Sequence, residues 1–136
     1  MKMRNKVKSL IKHKMFYVAL LVLTILLVAG CKKKMTIQDY LDLGEKYLTE
    51  ANYEEAIVAF TKAIEIDPKQ AAAYEKRAEV YTARIQAGGV DDVSQWTDEI
   101  RGFYASGEAD YLIAIELEPK TAGNYEKLAE LYLLAG

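Results

Sequence analysis

A stretch of this 136-residue chain occurs twice, and that recurrence restricts the fold more than any other feature. FTKAIEIDPK, at residues 60–69, returns as YLIAIELEPK at 111–120. Upstream of the first copy, Tyr40, Leu43, Gly44 and Tyr47 fall on one face of a helix, and Tyr74, Ala78 and Tyr81 repeat the spacing 34 residues later. Ala56, Phe60 and Ala63 make an answering face. Two antiparallel helices follow, with Gly44 small enough to admit the second helix closely. Thr36 with Asp39, and Asn52 with Glu55, stand at capping-box spacing and predict where each helix starts. Asp67-Pro68 ends the second, because a residue before proline is pushed out of helical geometry.

Residues 37–70, with Tyr40, Leu43-Gly44, Tyr47, Ala56, Phe60, Ala63 and Pro68 in order, resemble a tetratricopeptide repeat. A second unit, 71–121, opens on Tyr74, Ala78 and Tyr81 with Arg77 where leucine is commoner, and closes on Gly107, Tyr111, Ala114 and Pro119. Tyr81 and Gly107 lie 26 positions apart where Tyr47 and Ala56 lie 9 apart, an insertion of 17. A partial third unit, 122–136, holds Tyr125, Leu128, Ala129 and Tyr132. The resemblance implies an all-α array of two helical hairpins, the second enlarged, and a terminal helix.

Within the insertion, Gly88-Gly89 is a breaker, and Asp91, Asp92 and Ser94 are candidate caps. Trp96, Ile100, Phe103, Gly107, Tyr111 and Ala114 then step by three or four, so both helices of this hairpin are read as lengthened. Val90, Val93 and Trp96 at its tip are candidate partner contacts, since aromatic anchors dominate interfaces. The same residues can instead pack against Tyr81 and Ile85 of the facing helix. Two aspartates in a glycine-rich turn fall short of the 6–8 oxygen ligands calcium takes, so no metal site is expected.

Residues 1–14 carry Lys2, Arg4, Lys6, Lys8, Lys12 and Lys14 without an acid, and residues 15–29 form an apolar run without a charge. This is the order of a secretory signal, read as an N-terminal signal or anchor helix. Leu27-Val28-Ala29-Gly30-Cys31 resembles a bacterial lipobox, which implies cleavage before Cys31 and a lipid on its thiol. Residues 1–30 are then the signal peptide, 31–36 the lipidated cysteine with its basic linker, and 37–136 the repeat domain. An uncleaved anchor, or ordinary cleavage with release, remain alternatives, although about 15 apolar residues are short of the roughly 20 that span a bilayer. The expected location is the extracytoplasmic face of a membrane, with Lys32, Lys33 and Lys34 near anionic head groups.

From Cys31 onward there are 12 basic and 20 acidic residues, a formal charge of −8 that disfavours nucleic acid. His13, the single histidine, lies in the signal segment, and no phosphate loop or metal spacing is present, so neither enzyme activity nor a cofactor is expected. Binding is what the resemblance implies. First helices of successive repeats line a concave groove, which places Gln38, Leu41, Glu45, Glu75, Glu79, Glu126 and Glu130 on its surface, together with Leu48, Thr49, Ala72, Thr82 and Ala83. Such a groove would be acidic and suit an unidentified protein or peptide that is extended or basic. Leu131, Leu133 and Leu134 on the last helix raise two alternatives, a self-associating, homo-oligomeric structural envelope protein or a truncated fragment of a longer array.

Overall fold

The computed structural model describes residues 14–18, 20, 34–89 and 93–136. The chain divides into two units, Met1–Lys34 and Met35–Gly136. In the first, residues 14–18 and 20 are helical and exposed, and the readings placed on Cys31, Lys32 and Lys33 lie outside the described residues. Among the described residues no helix is long and apolar enough to cross a membrane.

The second unit consists of α1 (Ile37–Thr49), α2 (Tyr53–Ile66), α3 (Ala71–Ala87), a 3₁₀ turn (Val93–Gln95), α4 (Asp98–Leu117) and α5 (Ala122–Leu134). No strand occurs among the described residues, and α1/α2 and α3/α4 form the two hairpins, with α5 laid on α4. The architecture is that of a tetratricopeptide array.

Local chemistry sets the boundaries, though not always at the expected residues. Thr36 caps α1 by a reciprocal capping box: its hydroxyl accepts from Asp39 N at 3.2 Å, and Asp39 Oδ2 accepts from Thr36 N at 2.7 Å. Ala51 turns the chain between α1 and α2 with φ of 56°, a left-handed conformation that costs a residue bearing Cβ. The corresponding cap expected at Asn52 and Glu55 does not form. Asn52 sits at ψ 71°, outside the extended geometry a cap requires, and its amide donates to Glu50 instead.

The second hairpin is lengthened as expected, with α3 of 17 and α4 of 20 residues. Its start differs from the expectation. Thr97 caps α4, accepting from Ile100 N at 3.3 Å, while Ser94 lies in the 3₁₀ turn and Asp91 and Asp92 fall outside the described residues. Trp96 precedes α4, so helical phase begins only after it.

The core falls into two clusters, one joining the first hairpin to α3 and the other joining the second hairpin to α5. Leu41, Ala56, Phe60, Ala63, Ala73 and Val80 form one cluster; Ala78, Ile85, Trp96, Tyr111, Leu128 and Leu131 form the other. Gly44 is required where it stands, because a Cβ there would meet the Phe60 ring at 2.5 Å. In the second hairpin the small residue has changed sides: Ala78 takes Gly44's slot, and Gly107 takes Ala56's, where a Cβ would come within 3.3 Å of Tyr81 Cβ. Leu131 is wholly buried and Leu134 half-buried, which leaves Leu133, 79% exposed, as the one exposed member of the leucine trio proposed for self-association.

Candidate interaction surface

The first helices of the three units are neighbours: α1 touches α3, and α3 touches α5. This brings the expected groove residues onto one strip, except Leu41 and Thr82; Thr82 is 7% exposed and its hydroxyl donates to Ala78 O at 3.0 Å within α3. Leu41 is 9% exposed and belongs to the first core, because its side of α1 turns toward Phe60 and Ala73. Gln38 is exposed and donates to Asp42 at 2.7 Å.

The strip keeps an excess of glutamates, but two lysines are set among them. Lys76 on α3 reaches back to Glu45 on α1 at 3.4 Å and also pairs with Glu79 at 3.2 Å. Lys127 on α5 reaches back to α3 and donates to both Glu75 and Glu79. Burial pulls the Lys127 ammonium toward neutrality, but the hydrogen bonds to Glu75 and Glu79 outweigh it and hold its pKa above the ordinary lysine value. With about a third of the side chain exposed, each contact is worth on the order of 1 kcal/mol or less.

These pairs obey a rule. Lys76 and Lys127 each follow the opening tyrosine of their unit, Tyr74 or Tyr125, by two positions. Glu45, Glu79 and Glu130 follow Tyr40, Tyr74 and Tyr125 by five. The lysine of one unit therefore binds the glutamate of the unit before it, twice over. Glu130 occupies that glutamate slot in the last unit, and both it and Glu126 are exposed with no cation partner among the described residues. The recurrence of Tyr-Glu-Lys at 74–76 and 125–127 is the sequence signal for this ladder.

A second arrangement unforeseen from spacing ties the hairpins together. Arg77 Nε and Nη2 bind the two oxygens of Asp110 at 2.7 and 2.9 Å, and Nη1 donates to Thr61 on α2 at 3.0 Å. Asp110 is buried, and its hydrogen bond raises the guanidinium pKa further. Burial also pushes the Tyr111 phenol up to about 12.

At the hairpin tip Val90 lies outside the described residues and Val93 is half-buried. Trp96 is 7% exposed, packed in the second core with its ring 5.4 Å from Tyr104, so the indole is a core residue and not an exposed anchor. Arg84 lies over Phe103 at 5.5 Å and closes that side of the extension. Among the described residues no group of three or more His, Cys, Asp or Glu is placed to hold a metal.

A separate groove of about 320 Å³ opens between α1 and α2, lined by Tyr40, Leu43, Tyr47, Val58 and Ala59, with Glu54, Glu55 and Lys62 at its rim.

Comparison with known proteins agrees with this architecture. Residues 44–83 match a family model described as TPR repeat, a span that runs from Gly44 through α2 and across the junction into α3. That match supports a tetratricopeptide repeat in this chain, and repeats of this kind generally mediate protein–protein interaction. No curated protein matches the chain.

Proposed function

We propose that this chain is a membrane-anchored adaptor: a lipid on Cys31 holds the repeat domain at the extracytoplasmic face, and the strip formed by α1, α3 and α5 binds a basic segment of another protein. The observation that carries the binding half is the pair of exposed carboxylates on α5 that hold no cation among the described residues. Glu45 and Glu79 each hold a lysine from the first helix of the following unit, whereas Glu130, in the same slot, and Glu126 beside it face solvent. A lysine or arginine from a partner would fill there the place that Lys76 and Lys127 fill along the array. The anchoring half is supported by the basic, apolar and Leu-Val-Ala-Gly-Cys order of the N-terminus. Absence of His from 14–136 leaves the domain without the commonest general base, in keeping with a binding role.

Two experiments on the full chain test the two halves separately. Labelled palmitate fed to a bacterial host should enter the wild type and not Cys31→Ser; equal labelling would remove the anchor. Co-purification should recover a partner with the wild type and lose it with Glu126→Lys plus Glu130→Lys. Both substitutions are at exposed positions, so the fold should be retained; undiminished recovery would remove the strip.

A further inference from the structure

The two hairpins present the same groove, and in one of them the molecule shows what fills it. In the second hairpin the groove between α3 and α4 is bordered by Tyr74, Arg77, Tyr81 and Asp110. These stand where Tyr40, Leu43, Tyr47 and Ala59 border the groove between α1 and α2. The second groove is covered by a helix: Arg77, held by Asp110 within it, donates to Thr61, and Thr61 lies on α2. Ile57 and Ile64, on the turns either side of Thr61, pack with the core that Ala73 and Val80 of α3 join. An α-helix with an apolar stripe at i and i+7 is therefore the shape this slot accepts.

We infer that the groove between α1 and α2 is a second docking site, independent of the charged strip, for an amphipathic α-helix of a partner protein with a basic residue at one end of its apolar stripe. Its floor is more apolar than its covered counterpart, since Leu43 and Ala59 replace Arg77 and Asp110. Val58 is 59% exposed at its centre, and Tyr40, Leu43 and Tyr47 are half-buried, so a helix seated there removes continuous apolar surface from water. The rim sets the direction. Glu54 and Glu55 lie at one end; Lys62, roughly 11 Å along α2, lies at the other and is engaged by Glu65 at 2.6 Å. Glu54 meets Arg84 at 3.8 Å, while Glu55 has no ion pair among the described residues, so the carboxylate end is the one with charge to satisfy. A second copy of the chain is the poorer occupant. The apolar face of α5, with Tyr125, Tyr132 and Leu133, is bordered by Glu126 and Glu130 and would set acid against acid.

The test uses the full chain and a fluorescent helical peptide of about 18 residues, carrying isoleucines at i, i+4 and i+7 and an arginine pair at one end. The control peptide has a glutamate pair in that place. Val58→Asp replaces an exposed residue and should leave the circular dichroism unchanged while weakening the arginine peptide by roughly tenfold or more. Glu55→Lys should weaken it roughly threefold to tenfold and raise affinity for the glutamate peptide. Glu126→Lys plus Glu130→Lys should leave both affinities unchanged, which separates this site from the strip. Equal binding by wild type and Val58→Asp would overturn the inference, and so would loss of binding confined to the strip variant. A dimer of the full chain that forms without peptide and is lost in Val58→Asp would assign the groove to a second copy and overturn it as well.

Discussion

The first and second hairpins share one template and solve the same packing problem with different residues. In the first, the position between the helices is apolar, with Leu43 against Ala59, and its outer groove is open. In the second, the equivalent positions hold the Arg77–Asp110 pair, and α2 lies over it through Thr61. The difference teaches that the polar pair belongs to the junction between repeats, where a neighbouring helix supplies a third partner, and not to the hairpin itself. Contacts across the close approach are also exchanged: Gly44 faces Phe60 in one, Gly107 faces Tyr81 in the other. The extra length of the second hairpin adds Ile85, Trp96, Ile100 and Phe103 to its core, a layer the first lacks.

Substitutions that convert one hairpin into the other probe this comparison most sharply. Arg77→Leu alone strands Asp110, which is 4% exposed, and should lower stability by about 3–5 kcal/mol in chemical denaturation. Adding Asp110→Ala copies Leu43 and Ala59, and should restore all but about 1 kcal/mol. A double variant as unstable as the single would show that the pair is not a replaceable junction device. Next in size, Gly44→Ala drives a Cβ into the Phe60 ring and should cost about 1–3 kcal/mol. Gly107→Ala meets Tyr81 Cβ at 3.3 Å and gains helix propensity, so thermal unfolding should register a change of less than about 1 kcal/mol.

The junctions differ at one further position. Ala73 in α3 corresponds to Asn124 in α5, whose amide is buried with neither Oδ1 nor Nδ2 hydrogen-bonded. Asn124→Ala should stabilise the protein by about 1–2 kcal/mol, a gain readable as a raised denaturation midpoint. The smallest effect concerns alkaline pH. Lys127 has its pKa raised above 10.5, and Tyr111 is raised from 10.0 to about 12. A folded pKa above the unfolded value contributes stability that is complete below the unfolded pKa and is lost as pH rises through the folded one. The melting temperature should hold up to about pH 10 and fall between there and pH 12, less steeply in Tyr111→Phe.

Much of the fold was legible because repeats write their packing locally. Gly44, Phe60 and Pro68 each fix a feature within one hairpin, and the period carries them to the next. The start of α4 was not legible, since Asp91, Asp92 and Ser94 are good caps by composition. Burial of Trp96 places the chain so that Thr97 takes the role instead. The ion pairs along the strip are hidden in the sequence for a similar reason. Lys127 lies 52 residues from Glu75 and 48 from Glu79, and only the stacking of helices brings them together. Counting glutamates on a face ignores lysines arriving from the next unit. Leu41 holds a groove slot in the repeat pattern, yet its side of α1 packs into the first core.

The central claim is that partners are bound on the face made by the first helices. In-cell crosslinking from a photoreactive residue placed singly at Gln38, Glu126, Glu130, or Leu112 on α4 tests it most directly, since all four side chains are exposed. Protein adducts should form from Glu126 and Glu130 above all, fewer from Gln38, and none from Leu112. Adducts from Leu112 with none from Glu126 or Glu130 would contradict it.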